Sequence, residues 1–168
     1  MPVLVDDGFS VWDSLAIIEY LAERFPDKAI WPREVKDRAR ARSICAEMHS
    51  GFQQLRANMP MNIGVELPGR GWNLAVQHDI DRICTMWREL LDSHGGPFLF
   101  GEFTAADAYF APVCARFWTY RPELDLAIRA YVGRVFELSA MKRWVAEATA
   151  TAEFIPEDEP YRAPPSRH

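Results

Sequence analysis

Long apolar runs are missing from this sequence. No stretch of about 18 or more consecutive apolar residues occurs, so no membrane-spanning helix is expected. A basic excess is also missing. The chain has 19 Lys and Arg against 24 Asp and Glu, a net charge of −5, which argues against nucleic acid or an anionic membrane as the main partner. Cysteine is scarce and unpatterned. Cys45, Cys84 and Cys114 lie far apart, are odd in number, and form neither a zinc nor a redox spacing. They read as reduced, half-buried thiols of a cytoplasmic protein, and no metal is expected. The N-terminus carries acids where a secretory signal would carry basic residues and then an apolar segment.

Strand signals are confined to the first dozen residues. Val3–Val5 and Phe9–Trp12 read as short strands joined by the turn residues Asp6, Asp7 and Gly8. A two-stranded hairpin is marginal by itself in water, and Val3 to Val5 would offer an open apolar edge. The expectation is that residues upstream of Met1 or a partner chain cover that edge, or that the hairpin is partly disordered.

Everything after Trp12 has helical spacing. In DSLAIIEYLAERF the apolar positions are Leu15, Ile18, Leu21, Ala22 and Phe25, with Asp13 or Ser14 as cap and Pro26 as terminator. A long helix is predicted from Glu34 to about Met59, with Ile44, Met48, Phe52, Leu55 and Met59 inward; Gly51 inside it suggests close helix packing. A loop follows. Further helices are predicted at about 73–94, after Phe103, at 125–137 and at 139–150, with Met141, Trp144, Val145 and Ala148 as the inward stripe of the last. The tail from Pro156 is proline-rich and can be neither helix nor central strand. The chain is therefore read as mainly α, a bundle of five or more helices behind a short β-hairpin.

Two motifs carry candidate chemistry. In FTAADAYFAPV, Thr104 and Asp107 have capping-box spacing: the Thr104 oxygen can accept from the Asp107 N–H while the Asp107 carboxylate reaches back to the Thr104 N–H. In VWDSLAIIEYL, Asp13 and Ser14 stand at a strand-to-helix junction. They can simply cap the helix. They can also capture a ligand, because a helix N-terminus offers free N–H groups to a carboxylate and Asp13 can accept from an ammonium. Met48, Phe52, Phe117 and Tyr120 are candidates for an apolar pocket, although such a stripe is more often core than pocket. His49 reads as a boundary residue, and Arg33, Lys36, Arg38, Arg40 and Arg42 as a solvated basic helix face, a wall near ligand carboxylates, or a dimer contact.

The order of these pieces, strand, acidic turn, strand, DS, helix, Pro-rich connector, long helices and Thr-x-x-Asp box, resembles the cytosolic glutathione transferases over nearly the whole chain. The resemblance implies that residues 1–32 are the C-terminal part of a thioredoxin-like glutathione-binding domain, 33–155 an all-helical domain and 156–168 a tail. It implies glutathione as cosubstrate, a small apolar electrophile as second substrate, and a homodimer. It assigns the cysteinyl part of glutathione to the Met1 backbone beside Pro2, the γ-glutamyl end to Asp13 and Ser14, and a folding role to Thr104 and Asp107. One departure stands out. The βαβα unit that in such proteins carries the thiol-activating Tyr, Ser or Cys is not matched, and no residue here takes that role by motif. A catalytic residue is therefore not assigned, this chain alone is expected to be weak or inactive, and a non-catalytic binding or scaffold module is the competing reading.

Overall fold

A computed structural model describes residues 2–151, 154–156 and 159–162. The hairpin forms. β1 (Val3–Asp6) pairs antiparallel with β2 (Phe9–Trp12) in the register Val3↔Trp12 to Asp6↔Phe9. Asp7 (φ 48°) and Gly8 (φ 85°) both lie at positive φ, the requirement of a two-residue turn whose twist matches the strands. One face packs on α1 (Ser14–Arg24): the Tyr20 hydroxyl donates to Asp6 at 2.7 Å, and Phe9 meets the Tyr20 ring. The other face leaves Val3, Val5 and Trp12 about 60% exposed.

The bundle comprises α2 (Val35–Ser50), α3 (Gln53–Asn58), α4 (Leu74–His94), α5 (Ala105–Tyr120), α6 (Leu126–Glu137) and α7 (Ser139–Thr151). Its centre is Trp87 of α4. The Trp87 ring meets Phe110 and Phe117 of α5 at centroid distances of 5.4 and 5.6 Å and Tyr131 of α6 at 4.9 Å, all edge-to-face, the arrangement that aromatic quadrupoles favour. The unit of hairpin and α1 docks on this bundle. Leu15, Ile18 and Ala22 pack against the core, and the Ala105 N–H donates to the Ile30 carbonyl at 2.8 Å.

Two sequence expectations change. The long helix predicted to Met59 is interrupted at Gly51 and Phe52. Gly51 is extended (φ −99°, ψ −167°), and Phe52 is left-handed (φ 57°, ψ 40°). A Cβ on Gly51 would stand 2.6 Å from the Glu47 carbonyl oxygen. The glycine thus serves a break in the helix, not close packing of an intact one. The apolar stripe stays inward across the break, with Ile44, Met48, Phe52, Leu55 and Met59 all buried. The second change is at the edges of the bundle. Phe25 is exposed, and in α7 only Met141 is buried while Ala148 faces solvent. α7 packs chiefly on α6, so Trp144 and Val145 are half-buried and only Met141 reaches the core.

The Thr104–Asp107 capping box is present in full, and it does more than start α5. Asp107 is fully buried. Its carboxylate accepts from Thr104 N at 2.8 Å, Thr104 Oγ1 at 3.3 Å, Leu99 N at 3.1 Å and the Tyr131 hydroxyl at 3.0 Å. Burial pushes its pKa up, and the backbone and hydroxyl donors pull against that shift. α5 runs without interruption through Pro112, which lies inside it.

Replacing Asp107 by Ala would remove a cap, worth about 0.5–2 kcal/mol, and strand buried donors at about 1–3 kcal/mol each. A destabilisation of about 3 kcal/mol or more is expected, lowering the melting temperature by roughly 6–12 °C. Thermal or urea unfolding of the Asp107→Ala chain checks this.

Candidate functional site

The first turn of α1 holds the strongest candidate. Asp13 is the N-cap, with φ 72° and ψ 131°. A non-glycine residue held at positive φ costs about 1–3 kcal/mol and persists only where its surroundings fix it. Here three contacts do so. Asp13 Oδ1 accepts from the Leu15 N–H at 2.9 Å, its carbonyl accepts from the Ile17 N–H at 3.0 Å, and Oδ2 lies 3.5 Å from His49 Nε2 on α2. Capping and availability to a ligand are therefore not alternatives at this residue. One carboxylate oxygen caps the helix, and the other faces the cleft between α1 and α2. The Ser14 and Ala16 N–H groups belong to the first turn and have no acceptor within the helix.

Ser14 does not cap. Its Oγ lies 2.8 Å from the hydroxyl of Tyr109, a half-buried residue on α5. Burial pushes the Tyr109 phenol above its usual pKa. Two residues of the hairpin–helix unit are thus each met by one residue of the bundle: Asp13 by His49 of α2, Ser14 by Tyr109 of α5. The result is a small polar site at a helix N-terminus. It offers N–H groups and a hydroxyl to an anionic group and a carboxylate to a cationic one, which is the charge pattern of an amino-acid head group.

The remaining candidates lie elsewhere. Met48, Phe52, Phe117 and Tyr120 are each more than nine-tenths buried and belong to the core. Phe117 packs on Trp87. The Tyr120 hydroxyl donates to the Pro60 carbonyl at 2.9 Å, and Tyr120 lines an open cavity of about 610 Å³ with Met59, Trp72 and Arg121. Met1 lies outside the described residues. All three cysteines are buried and unpaired by disulfide, and burial pushes Cys45 to about 12 and Cys84 to about 11. Sequence reasoning gave no role to two further arginines. Arg56 donates to the Met48 carbonyl and, at 3.3 Å, to the His49 carbonyl, while Arg116 donates to the Met59 carbonyl at 2.9 Å. Burial, and then the neighbouring Arg56 charge, lower Arg116 to about 10. Neither has a carboxylate within ion-pair distance among the described residues. Tyr109 was also missed. It carried no signal in the sequence beyond standing two residues after the capping Asp107.

Comparison with known proteins adds two kinds of finding. Family models described as the glutathione S-transferase C-terminal domain and N-terminal domain match residues 69–147 and 1–29. A probable maleylacetoacetate isomerase of Caenorhabditis elegans is 33% identical over 142 residues, covering 83% of this chain and 65% of the relative. Glutathione S-transferase 1 of Dianthus caryophyllus is 32% identical over 114 residues, covering 67% of this chain and 52% of the relative. The chain thus spans between about half and two thirds of the length of these curated relatives. Among solved structures, a glutathione transferase homolog from Burkholderia with bound glutathione superposes with a TM-score of 0.69 at 25% identity, over 90% of this chain and 74% of that one.

The strain at Asp13 is testable without any ligand. Asp13→Gly gives up a side-chain cap, which costs only a few tenths of a kcal/mol when the replacement is glycine. It also releases positive-φ strain of about 1–3 kcal/mol. The unliganded variant is expected to be about 1 kcal/mol more stable than the parent. A denaturant titration showing a clear loss of stability would contradict the strain assignment.

Proposed function

The chain belongs to the glutathione transferase family, and from that premise we propose that it serves glutathione-dependent chemistry on a small electrophile. On this reading residues 1–32 are the C-terminal part of the thioredoxin-like glutathione-binding domain, residues 33–155 the all-helical domain that shapes the second-substrate side, and 156–168 a tail. The γ-glutamyl end of glutathione sits at the first turn of α1. Its carboxylate takes the Ser14 hydroxyl and the free N–H groups, and its ammonium takes Asp13 Oδ2. The observation that carries the reading is the pairing of a strained Asp13 with an uncapped Ser14 at that helix N-terminus, within a fold that superposes on a glutathione-bound homolog.

The reaction class follows from the family: transfer of the glutathione sulfur to the electrophile, or use of the same thiol in an isomerisation of the kind for which one relative is named. Among electrophiles, Arg56 favours one that carries a carboxylate over a purely apolar one, because its guanidinium lies at the end of α2 that bears His49 with no carboxylate within ion-pair distance among the described residues. The protein is proposed to pair as a homodimer, as the family resemblance implies. No Tyr, Ser or Cys of this chain matches the thiol-activating residue by motif, and its cysteines are core thiols. That observation also supports the second reading, a glutathione-binding or scaffold module without catalysis of its own.

Two measurements separate the readings. Glutathione at a hundred times its dissociation constant should add about 2.7 kcal/mol of stability, a rise of roughly 5–10 °C in melting temperature. Ser14→Ala should abolish most of that rise; an undiminished rise would move the site elsewhere, and no rise in the parent chain would remove glutathione binding from the proposal. Conjugation of glutathione to a chlorodinitroarene by the purified 168-residue chain is expected to be close to the uncatalysed rate, and rapid turnover would overturn the absence of a thiol-activating group.

A further inference from the structure

We propose that Tyr109 is a positioning residue for glutathione: its phenol holds the Ser14 hydroxyl so that the serine hydrogen is donated to the γ-glutamyl carboxylate. The inference rests on the glutathione reading above and names the group that gives Ser14 its orientation.

The argument begins with the direction of the 2.8 Å bond between the two hydroxyls. A phenol is the more acidic of the two, so Tyr109 donates and Ser14 Oγ accepts. The serine hydrogen must then point away from Tyr109. Ser14 is at the first helical position of α1, and its neighbour Asp13 already supplies the helix cap through Leu15. Among the described residues no other side chain engages Ser14 Oγ, so its hydrogen is left for a ligand at the helix N-terminus. A lone serine would distribute itself among three staggered χ1 wells. Selecting one beforehand is worth about a factor of three in affinity, and a hydroxyl that already accepts a bond is a somewhat better donor.

Tyr109 is itself well anchored. It packs against the core cluster of the bundle and stands on α5 two residues beyond the buried Asp107. The chain of contacts therefore runs from a fixed carboxylate, through one half-turn of helix, to a phenol, a serine and the ligand. A tyrosine that served packing alone would act through its ring, and a phenylalanine would replace it without consequence for any ligand.

The test is calorimetric titration of the 168-residue chain, as parent and as Tyr109→Phe, with three probes. These are glutathione; glutaryl-cysteinylglycine, which keeps the carboxylate and lacks the ammonium; and γ-aminobutyryl-cysteinylglycine, which keeps the ammonium and lacks the carboxylate. Tyr109→Phe is expected to weaken the first two by about 3- to 10-fold and to leave the third unchanged. Its unliganded melting temperature should fall by less than about 5 °C. Ser14→Ala should show the same carboxylate-selective loss, and adding Tyr109→Phe to it should cost nothing further. Equal weakening of all three probes, or none, would reduce Tyr109 to a packing residue while leaving the glutathione site intact. Ser14→Ala without effect on any probe would overturn the proposal however Tyr109→Phe behaves. A parent chain that binds none of the probes would overturn the glutathione reading and the proposal together.

Discussion

A single buried carboxylate organises this protein. Asp107 has no contact with solvent, yet it accepts from the Thr104 and Leu99 backbones and from the Thr104 and Tyr131 hydroxyls. A charge in that position is tolerated only because each donor is fixed in place, and the four donors come from three features: the start of α5, the tight turn before it, and the middle of α6. Removing water from the carboxylate is costly, and the donors recover that cost only together. The geometry around Asp107 therefore fixes where α5 begins and which way it points. From that follows the direction of Tyr109, and hence the contact between the bundle and the first turn of α1.

How much of this was legible in the sequence depends on the distance over which each interaction acts. The capping box could be read because both of its partners lie within four residues. The apolar stripes of α4 and α6 could be read because periodicity alone assigns them a face, and the buried residues Val76, Ile80, Ile83 and Trp87, then Ile128, Tyr131 and Val135, follow it. The interruption at Gly51 and Phe52 could not. It requires knowing that a left-handed Phe52 keeps its ring in the core and that α4 lends Asp79 to cap the new helix at Leu55. The burial of the four proposed pocket residues in the core has a related reason. A periodic apolar face records burial without recording whether a neighbour or a ligand covers it.

The candidate site was half legible. Asp13 and Ser14 announce themselves by residue type at a strand-to-helix junction. Their partners do not. Tyr109 is 95 positions away from Ser14, and His49 enters from another helix. The backbone strain at Asp13 is equally invisible to a linear reading, since it is a property of the turn into which β2 and α1 force the chain. The site is thus assembled between two parts of the chain that are far apart in sequence. One part brings the helix N-terminus, and the other brings the two residues that meet its side chains.

The burial of the three cysteines has a consequence for the environment in which such a protein would work. Thiol–disulfide exchange begins with a thiolate that can reach its target. Cys45, held at about 12, and Cys84, held at about 11, have almost no thiolate near neutral pH, and all three sulfurs are enclosed by the bundle. A protein handling a cellular thiol at high concentration would otherwise collect mixed disulfides on its own side chains. Here the fold separates the two populations of sulfur. The ligand's sulfur would meet solvent and electrophile, while the protein's own sulfurs serve as small apolar packing, shielded from exchange with any thiol in solution.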